Sequence, residues 1–231
     1  IKFDVSNVFG LLLFYMDTLT VRRAQRLSIF ISCLFYLYFS FSDTHIAHPV
    51  TYKGGYVARL LYTDLYTDLY VNKSHSQKQS LGIQYVSLSN EAHSFLLLQF
   101  NTLLKRWYFY DAQANLYTTT SIGFNYDNTQ LFPCLHLKAD AENRRYYADF
   151  SATIMKPSSA LFAKLTSRLG WAPYKHHFST VSTWFMIEAV YLNYHETHLQ
   201  LMPIYRGFYK SLLWEFGYNG ANRFIHVMFH F

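Results

Sequence analysis

From residue 81 onward apolar and polar positions alternate with a period of two. Residues 82–88, 95–104, 107–110 and 116–126 are rich in aromatic and β-branched side chains, which suit a pleated, half-buried surface, so they predict successive antiparallel strands. Lys105-Arg106 and Asn125-Tyr126-Asp127-Asn128 supply turns between them. Residues 178–194 predict a further long strand in which Glu188 is the one ionised side chain. After an Asn219-Gly220 turn signal, a last strand over 223–231 places Ile225, Val227, Phe229 and Phe231 on one face and Phe224, His226, Met228 and His230 on the other.

Other stretches carry helical spacing. In 158–169 the apolar residues Leu161, Phe162, Leu165 and Leu169 follow Pro157 and a Ser cap, and Gly170 closes the run, which predicts a helix. A second helix is expected across 205–216, where Phe208, Leu212 and Phe216 recur every four residues. Residues 49–80, punctuated by Pro49, Gly54-Gly55 and a polar run over 72–80, predict a loop-rich connector. Within it a YTDL repeat aligns Tyr62, Tyr66 and Tyr70, and Leu61, Leu65 and Leu69, as one short amphipathic helix would.

Residues 1–48 predict an apolar helical arm. Residues 8–16 form one apolar run and 27–42 a longer one, with Arg22, Arg23 and Arg26 between them. Sixteen helical residues rise about 24 Å, short of a hydrocarbon core of about 30 Å. The longer run is therefore expected to be buried in protein, while Leu27, Ile29, Phe30, Leu34, Phe35, Leu37 and Phe39 are its membrane-contact candidates. Residues 8–42 would then be the chain's membrane partner surface. No small-residue cleavage pattern closes the run, so no secretory signal is assigned. The expected architecture is α+β: an apolar helical arm over 1–48, a connector over 49–80, and over 81–231 a mostly antiparallel β domain with one or two packed helices.

Composition narrows the function without naming it. With 21 Tyr, 21 Phe and only 15% charged residues, the chain is led by residues whose codons begin with T, as a T-rich organelle genome would write them. A net charge of +6 and a pI near 9.2 favour nucleic acid or an anionic membrane surface as partner. Several cations stand beside aromatic rings, which would fix phosphates while the rings stack on unpaired bases. The RNA-contact candidates are Arg22, Arg23, Arg26, Lys105, Arg106, Trp107, Tyr108, Arg144, Arg145, Tyr146, Tyr147, Lys164, Arg168 and Lys175.

Searches for chemistry return little. Phosphate-binding Gly-rich loops, the GxSxG elbow, HExxH and CxxC are all missing, so no catalytic residue, cofactor or metal is assigned. Histidines cluster in His195-Glu196-Thr197-His198, His176-His177, His45 and His48, and His226 and His230, but no metal-ligand spacing joins these pairs. The closing residues 223–231 resemble the last strand of an outer-membrane β-barrel. The apolar N-terminal runs, the nine Gly and the helix expected at 158–169 direct the reading away from a barrel. Residues 203–231 also resemble in outline the tail of small-subunit ribosomal protein three, without its basic and Gly positions.

A basic chain of organelle-like composition without a catalytic motif is expected to be a structural, non-enzymatic subunit of a large assembly. Foremost is a mitochondrial ribosomal protein bound to rRNA. The alternatives are an accessory membrane-associated subunit of a respiratory-chain or ATP synthase complex, and a metal-dependent enzyme. Matrix or inner-membrane location follows from the first two.

Overall fold

The computed structural model describes residues 49–89, 94–127, 129–157, 161–175, 180–194 and 196–231. They form twelve strands and no helix: β1 (Tyr56–Thr63), β2 (Tyr66–Ser74), β3 (Gln79–Leu88), β4 (Ser94–Tyr108), β5 (Ala112–Asn125), β6 (Gln130–Asn143), β7 (Tyr146–Met155), β8 (Phe162–Trp171), β9 (Ser182–Tyr194), β10 (Glu196–Tyr209), β11 (Leu212–Tyr218) and β12 (Arg223–His230). Each strand pairs antiparallel with its neighbours in sequence, and β12 pairs with β1 from Val57 opposite His230 to Thr63 opposite Phe224. The sheet is thereby a closed barrel without an exposed edge.

Alternation along each strand separates two walls. On β4, Phe95, Leu97, Gln99 and Asn101 are buried inward while Leu96, Leu98 and Phe100 are exposed outward. On β6 the inward series is Phe132, Cys134, His136, Lys138 and Asp140, and the outward one Leu131, Pro133, Leu135 and Leu137. The outer wall is apolar and the inner wall holds the charges, which inverts the arrangement of a water-soluble sheet.

The connections divide between two rims. One, here the terminal rim, carries the start of β1, the end of β12 and the turns β2–β3, β4–β5, β6–β7, β8–β9 and β10–β11; the opposite rim carries the rest. At the opposite rim Gly220, with φ of 89°, allows the Asn219-Gly220 turn that the sequence signalled. Exposed aromatics ring both ends, with Trp107, Tyr146 and Trp171 toward the terminal rim and Tyr126 and Tyr218 toward the opposite one.

The α+β expectation is corrected to all-β among the described residues. The helix expected at 158–169 is β8 from Phe162 onward, because Leu161, Leu165 and Leu169, spaced by four, also fall on one face of a strand and point outward. The helix expected at 205–216 is the end of β10, a two-residue turn at Lys210-Ser211, and most of β11. The YTDL repeat is the β1–β2 hairpin: Tyr62 lies opposite Thr67 and faces outward, while Tyr66 and Tyr70 face inward. Much of the expected connector is thus β1 and β2. Pro133 and Cys134 lie within β6, Pro133 facing outward. The arm expected over 1–48, with Arg22, Arg23, Arg26 and its seven membrane-contact candidates, lies outside the described residues.

Candidate functional site

The candidate site is the lumen, because alternation delivers charged side chains to it from almost every strand. Arg59, Arg106, Lys138, Lys164, Arg168 and Arg206 face inward, as do Asp68, Asp140, Glu142, Asp149, Glu188 and Glu215, so cations and carboxylates balance among these twelve. β6 brings Lys138, Asp140 and Glu142 and β8 brings Lys164 and Arg168, while every other contributing strand brings a single charge. Burying such charges is tolerable only where partners are supplied.

From β1 to β4 the partners are wall neighbours. Arg59 Nη2 donates to Asp68 Oδ2 at 2.5 Å, Gln84 Nε2 donates to the same oxygen at 2.9 Å, and the Gln99 amide donates to Gln84. Farther along, Thr119 Oγ1 donates to Asn101 Oδ1 at 2.6 Å and Asn115 Nδ2 to Asp140 Oδ1 at 2.7 Å. This half of the lining is a ladder of hydrogen bonds lying against the wall.

From β7 to β12 the partners reach farther. Glu215 is fully enclosed and gathers two guanidinium groups and an imidazole: Arg206 Nε at 2.5 Å, His226 Nδ1 at 2.6 Å, and Arg168 Nη1 at 3.2 Å. Arg206 and His226 are its in-register neighbours on β10 and β12, whereas Arg168 comes from β8, three strands away. Arg168 also pairs with Glu188, opposite it on β9. Arg206 lies 4.5 Å from the ring of Tyr147 on β7, and Tyr147 donates to Asp149 at 2.7 Å. Between the two halves lies a cavity of about 220 Å³ lined by Arg59, Asp68, Lys138, Lys164, Arg168 and His226. Arg59 Nε, Asp68 Oδ1 and His226 Nε2 are buried there without a protein partner, which makes them sites for water.

Apolar clusters narrow the lumen above and below this belt. Phe95, Leu97, Phe132, Met155 and Phe162 pack toward the opposite rim, and Val57, Tyr70, Leu213 and Met228 toward the terminal rim.

The RNA-contact candidates are not brought together. Lys105 and Trp107 share the outer wall, with Nζ 5.4 Å from the indole ring. Arg106 points inward and donates to Asn115 Oδ1 at 2.6 Å. Tyr146 is exposed outside while Tyr147 is buried inside, and Lys164 and Arg168 line the lumen. Tyr108, Arg144, Arg145 and Lys175 sit at the terminal rim. Among the described residues, cations divided among lumen, rim and outer wall form no single basic face for rRNA.

The ribosomal reading and its rRNA partner are therefore corrected, as is the accessory-subunit reading that hung on residues 8–42. The described chain carries an apolar belt of its own, on strands. Matrix and inner-membrane placement falls with them, since closed antiparallel barrels with an apolar outer band are an outer-membrane architecture. No helix among the described residues is long and apolar enough to cross a membrane.

The metal-enzyme reading is corrected as well: no cluster of metal-ligating side chains forms among the described residues, and the His195–His198 side chains on which the reading rested lie outside them. His226 and His230 share the inner face but stand about 13 Å apart along β12, too far to share an ion. His226 is bonded instead to Glu215.

The residues that sequence reasoning passed over are Arg59, Asp68, Asp149 and Glu215. Their signal was a single charge at an alternate position of an apolar run, of which only Glu188 was singled out.

No family model matches the chain, and no curated protein matches it. Among solved structures, a KdgM porin in complex with disordered oligogalacturonate aligns with 77% of this chain and 98% of that one, at 10% identity and a TM-score of 0.49.

Proposed function

We propose that this chain is an outer-membrane barrel of the bacterial type whose lumen passes small hydrophilic solutes and ions. The role is transport rather than catalysis. One observation carries it: twelve charged side chains of balanced sign are turned inward by a wall whose outer face is apolar. A bilayer covers an apolar outer band, and a polar interior is what a water-filled passage requires. Strands of 7 to 15 residues bracket the length of about 9–11 that spans a hydrocarbon core at a tilt near 45°.

The lining also bears on what passes. Balanced charge gives weak preference between cations and anions, and a central cavity of about 220 Å³ favours ions and small polar molecules over oligomers.

The test is conductance of the refolded chain in planar lipid bilayers, with folding checked by the faster gel migration of an unboiled sample. Small, stepwise openings with weak charge selectivity are expected. A folded chain that leaves the bilayer silent, alone and with every lumen variant described below, would overturn the proposal.

A further inference from the structure

We infer that Lys164 and Tyr66 form a bar across the lumen, and that this bar is the constriction governing passage. The inference rests on the channel reading above and assigns its narrowest element. β2 and β8 stand six strands apart in both directions round the twelve-strand ring, so the two side chains come from opposed walls. The Lys164 ammonium donates to the Tyr66 hydroxyl and lies 4.5 Å from the centre of its ring. In register, Lys164 stands opposite Thr153 on β7 and Leu192 on β9, and it extends past both to reach the far wall.

The bar divides the lumen. On one side is the belt cavity of about 220 Å³, and toward the opposite rim is a pocket of about 30 Å³ bounded by Thr63, Val190, Met202 and Phe224. Lys164 and Tyr66 line both, as do Glu188 and Phe224, so the bar lies in the partition between them. Tyr66 is braced against the cluster that contains Leu61, Met202 and Phe224, which fixes its end of the bar. A second bridge starts on the same strand, four residues on, where Arg168 reaches Glu215. The two differ in kind: the second joins opposite charges, while the first joins an ammonium to a neutral phenol. Parting the first leaves no carboxylate unpaired, so it is the bridge that opens at lower cost.

The experiment compares single-channel conductance of the whole chain with that of Lys164→Ala and Tyr66→Ala, each confirmed as folded by its heat-modifiable migration. Because the width of a pore governs its passage, both variants are expected to raise conductance roughly two-fold or more. Lys164→Ala is also expected to shift selectivity toward cations, since it removes one positive charge from a balanced lining, whereas Tyr66→Ala is not. Variants that conduct while the parent chain is silent would support the bar as a closed gate. A conducting parent with both folded variants unchanged would overturn the bar and leave the channel standing. Silence from parent and variants alike would overturn the channel itself.

Discussion

Where the barrel closes on itself, Asp64 in the β1–β2 turn takes hydrogen bonds from the Arg223 backbone N–H at 2.6 Å and from its guanidinium at 2.7 and 3.0 Å. The contact ties that turn to the start of β12, next to the last ladder bonds of the seam. Arg223 holds the Asp64 carboxyl below its ordinary value of 3.8. A carboxyl lowered on folding contributes stability that is present above its unfolded value and is lost as pH falls through the folded one. Exposure keeps the contribution small. Asp64→Asn is therefore expected to lower the temperature at which the unboiled band disappears by a few degrees at neutral pH, with the gap between variant and parent closing below pH 3.8. A gap that persists in acid would mean that the turn's shape, not the ion pair, is what Asp64 supplies.

At the scale of the strand, spacing by four is ambiguous, and this misled the sequence reading most. Residues four apart share a face in a helix and also in a strand. Leu161, Leu165 and Leu169 satisfied both, and a Pro before and a Gly after completed a helix signature for what is β8. The alternation of β12 was legible because its eight residues admit one period only. So was the alternation in much of β4 and β5.

Closure was not legible, since pairing of β1 with β12 joins residues more than 160 positions apart and leaves no local mark. The lumen was hidden for a related reason. A lone Glu188 in an apolar strand becomes meaningful only once Arg168 is known to stand opposite it.

Strand pairing also explains two glycines that propensity disfavours. Gly123 lies opposite Phe132 and Gly207 opposite Trp214, and each aromatic ring lies over its glycine. A Cβ on Gly207 would stand 2.2 Å from the indole. Gly207→Ala is therefore expected to push Trp214 off the strand, shift its fluorescence, and cost about 1–3 kcal/mol in urea unfolding, as overpacking does. An unchanged emission spectrum would show that the ring does not depend on the glycine.

Across the whole molecule, the low share of charged residues and the excess of Tyr and Phe follow from a wall that must be apolar on its outer face and ringed by aromatics at its ends. Biased codons and an apolar-walled barrel thus make the same demand on composition, which is why composition alone did not reveal the barrel. The four Trp residues provide a direct test. Trp107, Trp171 and Trp214 sit on the outer face. Trp184 is buried inside, where its indole N–H donates to Ser182 at 2.8 Å.

In variants that retain one Trp each, with Phe at the other three positions, lipids brominated along their acyl chains are expected to quench Trp214 strongly. Trp107 and Trp171, toward the rim, should respond to bromines placed close to the headgroup. Trp184 should be spared at every depth, because the barrel wall keeps lipid from it. The comparison needs no conductance, so it tests the inverted wall independently of what the lumen carries. Quenching of Trp184 as strong as that of Trp214 would place lipid on both faces of the sheet and remove the physical basis for the channel.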